Sequence, residues 1–207
     1  VPGLILASRS PQRSSILRQL GIPFVVHEPD VEELERGEPR RVALENAMRK
    51  AAAVAARLAG TDGAAGCATA RRTPAVAPGS RPHDPVLAVD TVVCLDGQIH
   101  GKPGDRRQAR ATLEALSGRT HTVLGGLCLL QADGPRTAVA ATAVEFRRLD
   151  RSLIDWYVEG GEWRERAGGY AIQGRGAALV RRIDGDYLNV VGLPVATLLE
   201  LAPWLLA

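Results

Sequence analysis

Residues Val86–Leu95 read Val-Leu-Ala-Val-Asp-Thr-Val-Val-Cys-Leu, a strongly apolar strand interrupted only by Asp90 and Thr91. Its flanking residues want to be buried, and an ionised carboxylate among them is costly unless a cation, a metal or several donors meet it. Whatever this chain folds into must therefore cover that strand and provide for Asp90. The carboxylate either alternates to a wet face, belongs to a structural network, or serves chemistry.

The neighbouring segments supply the covering layers. Leu4–Ala7 is a short apolar run that reads as a buried strand and stops at Ser8-Arg9-Ser10-Pro11. Ser10 is placed to N-cap a helix and Pro11 to be its first residue, with Ile16, Leu17 and Leu20 on one face and Gly21 at the end. Phe24–Val26 is a second strand, followed by the acidic turn Pro29–Glu35. Glu38-Pro39 opens a long Ala-rich helix through Leu58, with Val42, Ala43, Ala47, Ala51 and Val54 at helical spacing. Beyond Val86–Leu95, Asp96-Gly97 is a hairpin signal and Asp105–Leu116 a helix. His121–Leu130 and Thr137–Leu149 read as an antiparallel pair around Asp133-Gly134, and Ser152–Glu159 as a short helix. Ala167–Gln173 and Ala177–Ile183 read as strands, Asp184-Gly185 as a turn, and Leu193–Leu206 as a closing helix. Helices interleaved with hairpins predict an α/β fold built on a mixed sheet.

Residues 60–85 stand apart: four Gly, four Pro and six Ala with Val76 the only large aliphatic, a composition that buries little surface. The expectation is a single domain over residues 1–207 with 60–85 as a flexible insertion. At 45% hydrophobic and 24% charged, the 207 residues have enough for a real core. Runs such as Val123–Leu130 are too short for a membrane span, and Leu4–Ala7 for a signal-peptide core, so a cytoplasmic protein is expected. Cys67, Cys94 and Cys128 match neither a disulfide framework nor a zinc motif. The net charge of +3 is spread along the chain and aromatics are 4%, which does not describe a nucleic-acid binder.

One compositional feature bears on chemistry. Of the 26 basic residues only Lys50 and Lys102 are lysine, the other 24 being arginine. A compact, rotatable ammonium is not interchangeable with a planar guanidinium. Two further segments invite a ligand. The strand-to-helix junction at Ser8–Arg13 offers free backbone N–H groups at a helix N-terminus and an arginine able to clamp an anion, although Ser and Pro are also ordinary helix starters. Glu32-Glu33 is either a solvated turn or part of a magnesium ligand set. His27, His100 and His121 lack metal-ligand spacing. The glycine-dense segments Ala167–Gly174 and Gly185–Pro194 read as turn chemistry or as close backbone approach to a ligand, with Gln173 offering both donor and acceptor.

Taken in order, six blocks resemble the Maf family of nucleoside triphosphate pyrophosphatases, also named septum-formation inhibitors. They are Ala7-Ser8-x-Ser10-Pro11-x-Arg13, Val89–Val93, Gly101-Lys102-Pro103, Leu116-Ser117-Gly118-x-x-His121-x-Val123, Ala167-Gly168-x-Tyr170-x-Ile172-Gln173-Gly174 and Asn189–Pro194. The resemblance covers nearly the whole chain outside residues 60–85. It implies a two-lobed α/β fold with a mixed, twisted sheet and a central cleft, similar to inosine triphosphatases, and a homodimer. It also implies hydrolysis of a nucleoside triphosphate to the monophosphate and pyrophosphate with a divalent metal, Mg2+ or Mn2+, for nucleotide-pool control. By motif, Asp90 is the implied proton acceptor for the attacking water, with Lys50 and Lys102 beside it in the catalytic set. Ser8, Arg13 and the two lysines hold the triphosphate, Glu33 with Asp90 serves the metal, and Gln12, Thr91 and Gln173 select the base. Thr91 and Gln173 match the subgroup that resembles dTTP and UTP pyrophosphatases, which usually has Arg where Gln12 stands. Arg166 replaces a lysine usual before Ala-Gly. A second functional class is a nucleotide-responsive regulator of cell division and septum formation with incidental hydrolysis.

Overall fold

The computed structural model describes residues 3–60 and 84–206, so nearly all of the expected insertion at 60–85 lies outside the described residues. In chain order the elements are β1 (Leu4–Ala7), α1 (Pro11–Gln19), β2 (Phe24–His27), α2 (Pro39–Gly60), β3 (Val86–Leu95), β4 (Gln98–His100) and α3 (Arg106–Leu116). They continue with β5 (Thr120–Gln131), β6 (Gly134–Phe146), α4 (Arg151–Gly160), β7 (Val180–Asp184), α5 (Tyr187–Val191) and α6 (Val195–Leu201). The seven strands form one sheet in the order β2-β1-β3-β5-β6-β7, with β4 pairing β3. The pairs β1–β2 and β1–β3 are parallel and the rest antiparallel, so the sheet is mixed as the interleaved pattern predicts.

Strand β3 organises the molecule. One of its edges pairs with β5 from Val86 to Cys94. The other edge pairs with β1 at Val86–Ala88 and with β4 at Val93–Leu95, which leaves the stretch around Asp90 and Thr91 open between them. On one side of that opening, α1, β1 and α6 build a core from Leu4, Leu6, Ile16, Leu17 and Leu198. On the other, α3, α4 and the distal parts of β3, β5 and β6 pack Val93, Leu113, Phe146 and Tyr157 together. These are the two lobes, and the cleft between them has Asp90 and Thr91 at its floor.

Helices α1 and α2 lie on opposite faces of the sheet. Leu87 and Val89 pack with Ile16 and Leu17 of α1, whereas Val86 and Ala88 pack with Ala47, Ala51 and Val54 of α2. The period-two alternation of a strand requires this division. Helix α2 comes very close to β5, because a Cβ on Gly126 would collide with the Ala43 carbonyl. The preceding residue, Gly125, faces the other way, where a Cβ would collide with the Asn189 side chain. Glycine at both positions therefore lets helices seat on both faces directly across from Asp90 and Thr91, their pairing partners.

The structure corrects the sequence reading at the C-terminal end. Ala167–Gln173 is not a strand: Ala167–Gly169 is a single 3-10 turn with Gly168 and Gly169 at φ 69° and 66°. Both must be glycine, since a Cβ would press to 2.9 Å from Val93 in the first case and Pro103 in the second. Strand β7 begins at Val180 rather than Ala177, after a second 3-10 turn over Gly174–Ala178. Within Gly185–Pro194 lies α5, capped by the Asp186 carboxylate accepting from the Leu188 N–H at 2.7 Å. The closing helix is shorter than expected, ending at Leu201, with a 3-10 turn over Pro203–Leu206. Among the described residues no helix is long and apolar enough to cross a membrane.

One buried polar cluster makes stability pH-dependent. His121 is 1% exposed, its Nε2 lies 2.8 Å from the Tyr170 hydroxyl, and its ring packs edge-on against Phe146 and Tyr170. Burial, with the nearby charge of His100 adding to it, pushes the imidazole down to about 4 from its ordinary 6.5. The folded state holds His121 neutral while the unfolded chain protonates it. The associated stability is thus complete above pH 6.5 and is lost as pH falls toward 4, amounting to about 3 kcal/mol across that window. The double variant His121→Phe/Tyr170→Phe should lose less stability than the parent between pH 7 and pH 4.5 in denaturant titrations. Parallel pH profiles for the two proteins would refute this assignment.

Candidate active site

Alternation along β3 sends Asp90 to the α2 face and Thr91 to the α1 face. On the α2 side, the buried stripe of the helix is Val42, Ala43, Asn46, Ala47, Lys50, Ala51 and Val54. Two members of that stripe are polar, and both reach Asp90. The Lys50 Nζ donates to Asp90 Oδ1 at 2.6 Å, and the Asn46 Nδ2 donates to Asp90 Oδ2 at 3.0 Å. The carboxylate thus has one donor on each oxygen, which is the compensation that a buried Asp in an apolar strand requires.

Lys50 is 5% exposed and contacts a second carboxylate, with Glu33 Oε1 at 2.9 Å. Glu33 comes from the segment between β2 and α2 and keeps 41% of its side chain exposed toward the cleft. The backbone of the next residue is gripped by Asn46, whose Oδ1 accepts from the Leu34 N–H at 2.7 Å while its Nδ2 donates to the Leu34 carbonyl at 3.0 Å.

On the opposite face, β1 ends at Ala7 and the chain turns through Ser8 into α1. Ser10 has N-cap backbone geometry but makes no side-chain cap, and the first turn holds no acidic residue. Its hydroxyl donates instead to Gln12 Oε1 at 3.1 Å. Arg13 is buried and faces inward: Nε donates to the Gly192 carbonyl at 2.8 Å, Nη1 to Ser8 Oγ at 3.0 Å and Nη2 to Thr91 Oγ1 at 3.1 Å. Burial lowers its pKa, opposed by the charges of Asp90 and Glu33, and a guanidinium remains protonated regardless. Its three bonds tie α1, β3 and the loop after α5 together and leave two of its five N–H groups for a ligand.

The distal rim is open. Lys102 follows β4 with about half its side chain exposed, its Nζ 3.6 Å from Glu165 Oε2. Glu165 takes a left-handed conformation, φ 57°, beside Arg166. Gln173 is exposed at the start of the second 3-10 turn. All nine residues singled out from the sequence, Ser8, Gln12, Arg13, Glu33, Lys50, Asp90, Thr91, Lys102 and Gln173, line one cleft of about 930 Å³. Glu32 does not line it.

Sequence reasoning missed Asn46, although a signal was present: an amide at position i−4 from Lys50 on an otherwise apolar stripe. It also missed Gly125-Gly126, two mid-strand glycines whose absence of side chains seats the helices.

The acidic groups are of the kind that hard divalent cations take as ligands. Asp90 and Glu33 converge on one ammonium, and Glu33 reaches the open cleft. Among the described residues no group of three or more ligating side chains exists. The protein side therefore offers two oxygen-bearing side chains to such a cation, Asp90 and Glu33.

Comparison with known proteins agrees with the motif order. Residues 3–203 match the family described as Maf-like protein. A dTTP/UTP pyrophosphatase of Symbiobacterium thermophilum is 44% identical over 194 residues, covering 93% of this chain and 88% of that protein. Proteins of the same name from Pyrococcus furiosus and Deinococcus radiodurans are each 39% identical, over 96% and 97% of this chain and 93% and 91% of their own. With its sheet, cleft and motif residues in place, the chain belongs to the Maf family.

Proposed function

We propose that this protein hydrolyses nucleoside triphosphates to the monophosphate and pyrophosphate, with dTTP and UTP as preferred substrates. The observation that carries this reading is the position of Asp90. It lines the cleft, held by Lys50 and Asn46, and shares that cleft with an uncapped helix N-terminus and the half-exposed Lys102. A polyphosphate needs cationic and N–H donors before water can approach phosphorus, and such catalysis is mostly positioning and electrostatics.

In this reading Asp90 takes the proton of the attacking water. Lys50 holds Asp90 and Glu33 in place. Ser8, the α1 N-terminus, the remaining Arg13 donors and Lys102 bind the phosphates. Asp90 and Glu33 would hold a divalent metal, Mg2+ or Mn2+, which when bound supplies charge neutralisation at the phosphate oxygens. For the base, Thr91 Oγ1 already accepts from Arg13 and Gln12 Oε1 from Ser10, so both side chains are left to donate. Gln173 adds a donor and an acceptor. Donors with one acceptor suit the two carbonyls and ring N–H of thymine and uracil. Gln12 thus offers a donor where the dTTP/UTP subgroup usually carries Arg. One domain over residues 1–207, with 60–85 inserted, acting as a cytoplasmic homodimer, completes the proposal. Pyrophosphate release should be fastest with dTTP and UTP in a screen of the eight common triphosphates with Mg2+ or Mn2+. Release from none of them would favour the nucleotide-responsive regulator instead.

A further inference from the structure

We infer that Asn46 is a positioning residue that fixes the Asp90 and Glu33 carboxylates relative to one another by clamping the backbone of Leu34. This rests on the pyrophosphatase reading of the same cleft. Residues 28–36 between β2 and α2 have neither helix nor strand, so no ladder of hydrogen bonds fixes the segment that carries Glu33. Asn46 takes the place of one. Its amide pairs with both the N–H and the carbonyl of Leu34, at 2.7 and 3.0 Å, as a neighbouring strand would. The same Nδ2 carries a second hydrogen, which reaches Asp90 Oδ2 at 3.0 Å. At 2% exposure, the side chain cannot exchange these bonds for bonds to bulk water.

Asn46 and Lys50, one turn apart on α2, therefore grip the same two objects: the Glu33 segment and Asp90. They do so by different means. The Lys50 ammonium attracts both carboxylates, but its donors rotate freely and impose little direction. The planar amide of Asn46 has fixed donor and acceptor directions, so it sets where Oδ2 of Asp90 points and how far the Glu33 backbone stands from it. No other common side chain can do this at the same length. Asp keeps the acceptor for the Leu34 N–H but loses both donors and adds a charge beside Asp90. Gln is one methylene too long, and Leu matches the volume with no polar group. A reaction that requires both carboxylates in register should lose rate without losing substrate affinity when Asn46 changes.

The test uses Asn46→Leu and Asn46→Asp in the full chain, with UTP and Mn2+ as substrate and metal. Both variants should lose 10- to 100-fold in kcat while KM for UTP stays within threefold of the parent. The Leu34 amide should exchange with solvent at least tenfold faster in Asn46→Leu than in the parent by NMR. Asn46→Asp, which keeps the shape and the Leu34 N–H acceptor, decides the kinetic question should Asn46→Leu fail to fold. A kcat within twofold of the parent, or a loss confined to KM, would overturn the inference. A parent protein that cleaves no triphosphate would remove the functional reading alone. Leu34 exchange then still decides: unchanged protection overturns the role of Asn46, and lost protection sustains it as the anchor of the Glu33 segment.

Discussion

Asp90→Asn should lower turnover of UTP by 10²- to 10⁴-fold while the protein still binds the triphosphate. That range is what a positioned general base contributes. Two separate effects act in this variant. A carboxamide cannot accept the proton of the attacking water. It also cannot satisfy its surroundings, because Lys50 donates to one oxygen of Asp90 and Asn46 to the other. Whichever way the new amide turns, its NH2 group meets a donor. Leaving buried donors unpaired costs about 1–3 kcal/mol, so a modest fall in stability should accompany the loss of rate. Binding of a non-hydrolysable UTP analogue, measured by calorimetry, separates the two effects. Retained binding with lost turnover assigns Asp90 to the chemical step. Near-parental turnover would remove it from that role.

Lys50→Met is the second large effect and is read mainly in stability. Lys50 is the ammonium between Asp90 and Glu33, and its side chain is almost fully buried. Removing one partner of a buried pair costs about 3–5 kcal/mol because the other charge stays behind. Asp90 keeps its bond from Asn46 and Glu33 can turn toward solvent, which favours the lower end of that range. At roughly 2–4 °C per kcal/mol for a domain of this size, the melting temperature should fall by about 6 °C or more. Lys50→Arg keeps the charge and tests the shape. Its planar fork must fit beside Asn46, Ala47, Ala51 and Val54, all buried on the same helix face. This variant should fold and yet turn over at least tenfold more slowly. In a chain that uses arginine at 24 of 26 basic positions, a lysine here is then a requirement of the site. A Lys50→Met protein as stable as the parent would show that the pair does not support the fold.

Much of this architecture could be read from the chain, for identifiable reasons. Leu4–Ala7 running into Ser-Pro, and the apolar stripe of α2, carry their structure in short-range pattern, so their elements appear where that pattern places them. Ala167–Gln173 misled because Tyr170 and Ile172, two residues apart, mimic the alternation of a strand. The backbone there is decided instead by Val93 and Pro103, which press against Gly168 and Gly169 from other parts of the fold. Helix α5 is only five residues long and contains Val190 and Val191, so no periodicity announces it. The cleft residues were legible because their order along the chain is that of a family. What the order could not convey is which of them touch. Lys50, placed by the motif among phosphate ligands, has its ammonium on two carboxylates of the protein itself. Asn46, 44 residues from Asp90, has no local signal for that contact beyond being polar on an apolar stripe.

Cleavage of pyrimidine nucleoside triphosphates to monophosphate and pyrophosphate in this cleft can be tested at its products. The most direct measurement is product analysis after incubating the purified protein with UTP or dTTP and Mg2+ or Mn2+. Equimolar monophosphate and pyrophosphate are expected, with the Asp90→Asn protein forming neither at a comparable rate. Release of inorganic phosphate with the nucleoside diphosphate, or equal rates from the parent and the Asp90→Asn variant, would contradict it.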